Sequence, residues 1–244
     1  MRHFFQKYIM PKMPLYAVLP AALSLLLYSL IYSVTMAFCQ TLPHFDLTTD
    51  LDRLVPVIPG FVYIYFLYFP FCAVNYVIIA RGEEKSRYQF TAANFIAALI
   101  CLAVYVIFPT TNVRPEISGT SLADGLLRFV YDVDQAGNLF PSMHCLVSWF
   151  AVVGMRGRKD IPAWYRRFTG CFAILIMIST QVTKQHYIVD LVAGVLLAEG
   201  CFFIGRKSRL WIPVRCFFRG MGRWIGDRLG CHKNRREGRD HVAE

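Results

Sequence analysis

Long apolar segments with few or no charged residues constrain this chain more than any other feature of its sequence. A helix that crosses ~30 Å of hydrocarbon needs about 20 mostly apolar residues. Three segments approach or exceed that length without a charge, and a fourth contains only Asp190 and Glu199: 16–38, 57–80, 91–109 and 187–205. The sequence therefore indicates a protein that spans a membrane several times.

Two shorter apolar segments, 138–155 and 168–182, are candidates for further helices in the middle of the bundle. Across the chain, 56% of residues are hydrophobic and 17% are charged, whereas about 25% are charged in a soluble domain. Backbone groups in lipid must form hydrogen bonds within their own segment, so the spanning elements are expected to be helices. The sequence predicts an all-α fold, a polytopic bundle of six transmembrane helices.

The formal net charge of +10 is distributed unevenly along the chain. If there are six spans, all but four of the 26 Lys and Arg residues fall on the side of the two termini. The four exceptions are Arg53, Arg114, Arg128 and Lys184. Positive residues accumulate on the cytoplasmic side, which predicts a cell-membrane protein with both termini in the cytoplasm. Because orientation accounts for the basic excess and no nucleic-acid motif accompanies it, nucleic acid is not an expected partner.

The chain is predicted to consist of a membrane domain, residues 1–206, followed by a basic cytoplasmic tail, residues 207–244. In the tail, Arg residues alternate with aromatic residues such as Trp211 and Phe218, which suits a helix in the headgroup layer for part of its length. The eight cysteines lack the spacing of metal ligands and are interpreted as small apolar side chains.

The outer loop 110–141 is the longest connection, and Ser121 and Asp124 within it have the spacing of a capping box. The apolar residues that follow recur at helical spacing. We expect a short helix that lies on the bundle, and a lid over a lipid entrance is the alternative.

Three polar segments adjoin the ends of the predicted spans, at 111–115, 141–144 and 179–190. The predicted topology places all three at the extracytoplasmic end. Within the third, His186 and Asp190 share one helix face, with Cβ atoms ~5–6 Å apart. A carboxylate there can accept the proton of one ring nitrogen and leave the other free to act as a nucleophile. A structural pair near the interface is the other interpretation.

His144 and Ser142 follow Pro141 at a predicted helix start. Free backbone amides at such a start, together with the serine hydroxyl, form an anion site. A histidine beside that site can donate a proton to a leaving alkoxide.

Arg114 and Lys184 are two of the four outer cations. Arg114 can hold phosphate oxygens with two parallel hydrogen bonds, and Lys184 offers a point charge. Together they suit a phosphate whose charge spreads over three oxygens during transfer, although basic residues near span ends also often extend to the headgroups.

These residues resemble the type 2 phosphatidic acid phosphatase (PAP2) superfamily, whose pattern is K-x6-RP, then PSGH, then SR-x5-H-x3-D. The matching positions are Arg114 and Pro115 in the first motif, 141–144 in the second with Met143 in place of Gly, and Ser179, His186 and Asp190 in the third. Two positions depart from the pattern: Ile107 replaces the motif Lys, and Thr180 replaces the motif Arg. Lys184 lies one helical turn after Thr180 and is a candidate to restore one charge.

The resemblance implies six helices around a chloroperoxidase-like core, no metal or other cofactor, and a phosphohistidine intermediate. His186 would be the nucleophile, Asp190 its orienting residue, and His144 the general acid and then the base that activates water. Arg114, Ser142 and Lys184 would bind phosphate.

The leading prediction is hydrolysis of a lipid phosphate monoester or diphosphate at the outer leaflet, with phosphatidic acid, phosphatidylglycerol phosphate or a polyprenyl diphosphate as substrate. The segments around Arg114, His144 and His186 are also similar to a divergent branch related to inositol phosphorylceramide synthases. Transfer of a phospho-headgroup to a lipid or sugar hydroxyl is therefore the alternative within the family.

Three other classes of protein are alternatives to this prediction. His144, His186 and Asp190 could hold zinc, although the cations nearby disfavour a metal ion. Ser142 could be the nucleophile of a membrane protease, but no Gly-x-Ser-x-Gly elbow surrounds it. A non-catalytic transporter or scaffold that retains a phosphate-binding rim is the third.

Overall fold

The computed structural model describes residues 15–39 and 41–228, and in this part of the chain the fold is all-α, as predicted. The helices are α1 (Leu15–Cys39), α2 (Asp50–Leu54), α3 (Val62–Ala80), α4 (Glu84–Ile107), α5 (Leu122–Val133), α6 (Met143–Met155), α7 (Ala163–Val182), α8 (Ile188–Lys207) and α9 (Trp211–Arg228). A 3-10 turn, Pro59–Phe61, precedes α3, and two short parallel strands, β1 (Phe45–Asp46) and β2 (Thr110–Thr111), pair with each other.

Four of the described helices, α1, α3, α4 and α8, are long and apolar enough to cross a membrane. Helix α6 has 13 residues, and at 1.5 Å per residue it extends about 20 Å, less than the hydrocarbon thickness. Helix α7 has Arg166 and Arg167 near its start. The count of six spans therefore stays a prediction.

Two helices begin at a different residue from their apolar segments, and polar residues account for the difference. Helix α4 starts at Glu84, before the apolar segment at 91, because a helix can extend through polar residues once it has left the hydrocarbon. Helix α6 starts at Met143, five residues into its apolar segment, because the Ser142 side chain accepts a hydrogen bond from the Cys145 amide and caps it.

Helix α6 lies in the middle of the bundle and packs against α3, α7 and α8. Leu146, Phe150 and Ala151 are fully buried in this core. Gly194 in α8 lets the backbones of α6 and α8 approach closely, because a Cβ atom at this position would lie 2.8 Å from the Ser142 carbonyl oxygen. This contact positions the start of α6 against the start of α8.

We call the end of the bundle where α1, α4 and α7 finish and where α3, α6 and α8 begin the outer end. The β1–β2 pair joins the loop after α1 to the loop after α4. Helix α5 is the short surface helix that was expected, and Ser121 and Asp124 form its capping box. Leu127 and Val130 of this helix pack on Val62 and Tyr65 of α3, so α5 covers one side of the outer end.

At the opposite, inner end, α9 packs on α1 and α4. Phe218 is fully buried there, beside Tyr88 and Phe95. Arg215 and Arg219 form ion pairs with Glu84. The sequence predicted a partly helical tail, and residues 229–244 of that tail lie outside the described residues.

Candidate functional site

A cavity of about 420 Å³ opens between α1, α3, α5 and α6 at the outer end. Aromatic and aliphatic side chains form most of its wall, including Phe66 and Phe69 of α3 and Phe129 of α5. The lining also includes charged, amide and imidazole side chains: Arg114, Asp134, Asn138, His144, Gln185 and His186. A cavity with an apolar wall and a few convergent polar groups has the character of a ligand site.

The two histidines predicted as catalytic line this cavity together. The centroids of their rings are 5.6 Å apart. His144 lies in the first turn of α6, and His186 lies two residues before α8. Both helix starts therefore contribute one imidazole to the same space, which is the convergence that the catalytic hypothesis requires.

His186 is held by a backbone carbonyl group more closely than by Asp190. Its Nδ1 atom lies 3.1 Å from the Leu139 oxygen and 3.5 Å from Asp190 Oδ2. With Nδ1 protonated and donating, Nε2 keeps its lone pair for attack on an electrophile. From the sequence, Asp190 alone was predicted to orient the imidazole. The contact with the Leu139 carbonyl could not be predicted, because Leu139 is distant in sequence and its side chain has no polar group.

The Leu139 carbonyl is itself positioned by the end of α4 and the strand that follows. Thr110 Oγ1 accepts hydrogen bonds from the backbone amides of Leu139 and Phe140, both at 2.9 Å. Tyr105 donates a hydrogen bond from its hydroxyl to the Pro141 carbonyl at 2.8 Å. The loop that faces His186 is thus fixed at three consecutive residues.

Asp190 is almost fully buried and caps the start of its own helix. Its Oδ2 atom accepts a hydrogen bond from the Tyr187 amide at 2.9 Å. The Asp190 carbonyl accepts another from the Ser142 amide at 3.1 Å. Asp190 therefore connects the starts of α6 and α8 in addition to its contact with His186.

Arg114 lines the cavity with its guanidinium already oriented. It donates to the backbone carbonyl of Asp134 and, at 2.8 Å, to Gln185 Oε1. The guanidinium carbon lies 4.9 Å from the centre of the Tyr131 ring. Its Nε atom is buried and has no hydrogen-bond partner among the described residues, so the guanidinium is not fully paired.

The structure does not bring Ser142 and Lys184 to the cavity, although both were predicted to bind phosphate. Ser142 is fully buried and caps α6. Lys184 Nζ donates to the Asp52 carbonyl at 2.6 Å, and burial lowers the pKa of this amine. The lysine therefore holds α2 against the loop before α8.

The two positions that depart from the motif also lie away from the cavity. Ile107 is 78% exposed at the end of α4. Thr180 is fully buried near the end of α7, where its hydroxyl donates to the Met177 carbonyl at 2.8 Å. Its own carbonyl accepts from the His186 amide at 3.1 Å, so Thr180 helps to shape the turn that carries the histidine.

Asp134 lines the cavity and was not identified from the sequence. Tyr32 of α1 and Tyr65 of α3 donate hydrogen bonds from their hydroxyl groups to its two carboxylate oxygens. Burial raises the pKa of Asp134, but the His144 charge, the two tyrosines and Arg114 outweigh it and leave that pKa below its usual value. Its position at the end of an amphipathic surface helix gave no spacing signal.

The described residues contain no group of three or more His, Cys, Asp or Glu side chains placed to hold a metal ion. The zinc alternative needed His144, His186 and Asp190 to converge on one point. Asp190 instead accepts a hydrogen bond from the Tyr187 amide, and within residues 15–39 and 41–228 no third donor completes a set with the two imidazoles.

A family model described as the PAP2 superfamily matches residues 40–204. The match covers more than half of the chain and includes every residue predicted for the site, whereas the Tyr32 side of the cavity lies outside it. No curated protein and no solved structure matches the chain. With the motif residues in order and the two histidines in one cavity, the family match shows that this chain belongs to the PAP2 superfamily.

Proposed function

We propose that this protein transfers the phosphoryl group of a membrane lipid phosphate to water at the outer leaflet, through a phosphohistidine intermediate. Membership of the superfamily supports a lipid phosphatase or phosphotransferase in general. The observation that carries the proposal is the 5.6 Å separation of the His144 and His186 rings in one cavity, because a single phosphorus centre fits between them.

In the first step, His186 Nε2 attacks phosphorus and the bond from phosphorus to the lipid oxygen breaks. His144 donates its proton to that oxygen as the alcohol leaves. In the second step, neutral His144 takes a proton from water, the water oxygen bonds to phosphorus, and the phosphorus–nitrogen bond breaks. Arg114 supports both steps by stabilising the negative charge on the phosphate oxygens.

The apolar wall supports a lipid as the substrate. Helices α1, α3 and α5 contribute Leu25, Phe66, Phe69 and Phe129 to the lining. An acyl or prenyl chain there would replace water against apolar surface, which is favourable by about 25 cal/mol per Å². The lipid phosphate monoesters and diphosphates named above remain the proposed substrates.

Transfer of a phospho-headgroup to another hydroxyl is the second candidate, and the shape of the cavity favours it. At about 420 Å³ the cavity has room beyond a phosphate group. Asp134 also lines the cavity, and its carboxylate can accept a hydrogen bond from an acceptor hydroxyl.

A phosphate-release screen with purified protein tests the first proposal. Each lipid in a panel of phosphate monoesters and diphosphates is incubated with the wild type and with His186→Ala, with and without chelator. We expect phosphate release by the wild type alone and full activity in chelator. Formation of a labelled phosphodiester without free phosphate would favour transfer. No turnover by the wild type of any lipid would favour a transporter or scaffold.

We further propose that the outer end faces the extracytoplasmic side and that both termini are cytoplasmic. The inner end carries Arg156, Arg158 and Lys159 between α6 and α7, as the positive-inside rule requires. The test uses intact cells and a thiol reagent that cannot cross the membrane. A cysteine placed at exposed Val113 should be labelled, and native Cys216 of α9 should not.

A further inference from the structure

Tyr65 connects the half-buried carboxylate of Asp134 to His144. Tyr65 donates its hydroxyl hydrogen bond to Asp134, and its ring lies 4.7 Å from the His144 ring. The Tyr68 ring lies 4.5 Å from the same imidazole on the next turn of α3. Asp134, Tyr65 and His144 therefore form one contiguous group at the cavity wall.

Asp134 makes no ion pair with a Lys or Arg side chain in the described part of the chain. Arg114 donates to its backbone carbonyl and to Gln185, and not to its carboxylate. A buried carboxylate is costly unless a cation or several hydrogen bonds stabilise it. The charges of His144 and Arg114 both lower the pKa of Asp134, and of these two groups the imidazole is the one that can gain and lose a proton during a reaction.

We infer that Asp134 is a positioning residue that stabilises His144 in its protonated form, so that this imidazole can donate a proton to the leaving lipid alkoxide. The inference rests on the proposed function and adds to it a residue that the PAP2 motifs do not include. Desolvation beside the Tyr65 and Tyr68 rings disfavours the charged form of this imidazole, and the negative charge of Asp134 opposes that effect.

In this scheme the carboxylate neither gains nor loses a proton. His144 transfers its proton to the lipid oxygen as the phosphorus–oxygen bond breaks and His186 Nε2 bonds to phosphorus. The neutral imidazole then accepts a proton from the attacking water. The Asp134 charge favours the protonated imidazole that starts the first transfer, and it favours the reprotonation of His144 by the attacking water.

The test compares two substrates that differ in how much they need a general acid. Phosphatidic acid releases an alkoxide, which requires a proton, whereas p-nitrophenyl phosphate releases a stable phenolate. For Asp134→Asn we expect kcat to fall by about 100-fold on phosphatidic acid, within the range of general acid catalysis, and by less than about threefold on p-nitrophenyl phosphate. Asp132→Asn, an exposed position in the last turn of α5 two residues before Asp134, is the matched control and should leave both rates unchanged.

An equal loss on both substrates, or no loss on either, overturns the inference, because a merely structural or substrate-binding role does not depend on the leaving group. If Asp134→Asn fails to fold, Tyr65→Phe takes its place, since it keeps the carboxylate and removes one of its hydrogen bonds. The same selective loss, smaller in size, supports the inference, and an equal or absent loss contradicts it.

His186→Ala separates the failure of this inference from failure of the proposed function. If that variant loses turnover of both substrates, the phosphohistidine mechanism is supported independently of the result for Asp134. Turnover that survives in His186→Ala, or a wild type that acts on neither substrate, contradicts the proposed function and the inference with it.

Discussion

The outer and inner ends of the bundle differ in how their ionisable side chains are buried and stabilised. At the inner end, charged side chains are partly exposed and paired with each other, as in the 2.5 Å contact between Arg156 and Glu199. At the outer end, His186 and Asp190 are buried. The groups they contact most closely there are the Leu139 carbonyl and the Tyr187 amide.

The difference separates two kinds of charged residue. Those at the inner end suit the orientation of the protein in the membrane, and the buried groups at the outer end suit catalysis. Exposed ion pairs contribute about 0–1 kcal/mol and are screened by salt. Burying an ionisable group costs far more, so a cluster of such groups in one cavity indicates a functional site. We therefore expect substitutions of the polar residues that line the outer cavity to reduce activity, and substitutions of the ion pairs at the inner end to leave it nearly unchanged.

Replacement of His186 by Ala should have the largest effect, because it removes the proposed nucleophile. Turnover should fall by about 10⁴-fold or more, with thermal unfolding close to that of the wild type. Phosphate release measures the loss. His44→Ala, in the loop after α1 and outside the cavity lining, is the matched control and should retain activity. Wild-type rates in the His186 variant would remove the mechanism.

Replacement of His144 by Ala should reduce turnover of an alkyl phosphate by about 10²- to 10⁴-fold, the usual contribution of a general acid or base. The measurement is kcat on phosphatidic acid under saturating conditions. A fall in substrate affinity with kcat unchanged would show that His144 binds the substrate and does not transfer a proton.

Replacement of Arg114 by Lys keeps the charge but loses the fork that contacts Gln185 and the Asp134 carbonyl. One charged hydrogen bond to phosphate is worth about 1.5–3 kcal/mol, so kcat/KM should fall by about 10- to 100-fold. Steady-state kinetics measure the change. Unchanged kcat/KM would mean that Arg114 supports the loop and does not contact phosphate.

Replacement of Lys184 by Ala discriminates between the sequence prediction and the observed contact. Loss of the hydrogen bond to the Asp52 carbonyl should lower the free energy of unfolding by about 1–3 kcal/mol. The phosphate-binding hypothesis predicts weaker inhibition by inorganic phosphate as well. Thermal unfolding and a phosphate inhibition curve measure the two effects, and unchanged inhibition would exclude the compensation for Thr180.

Replacement of Glu199 by Gln should have the smallest effect. The amide can still accept the hydrogen bond from Trp149, while the ion pair with Arg156 is lost. We expect less than about 1 kcal/mol of destabilisation and wild-type turnover. A double-mutant cycle with Arg156→Gln measures the pair. A large loss of activity would contradict the division between the two ends.

Much of the site could be predicted, because the spacing of residues along the sequence indicates which of them lie at the ends of helices. The apolar segments indicated helices, and the placement of Arg114, His144 and His186 beside their ends indicated one meeting point. Side-chain direction could not be predicted in the same way. Lys184 turns to the Asp52 carbonyl and Ser142 caps its own helix, because each finds a nearer backbone partner than the cavity.

The length of the hydrophobic segments was sufficient to predict an all-α membrane fold, because backbone groups in lipid must form hydrogen bonds within their own helix. Residue spacing was sufficient to identify two candidate histidines, because ionisable residues are costly to bury near a membrane span. Packing alone placed the Leu139 carbonyl against His186 and brought Asp134, Tyr32 and Tyr65 together from three separate helical regions. Those contacts join residues distant along the chain, and their geometry depends on how the helices cross.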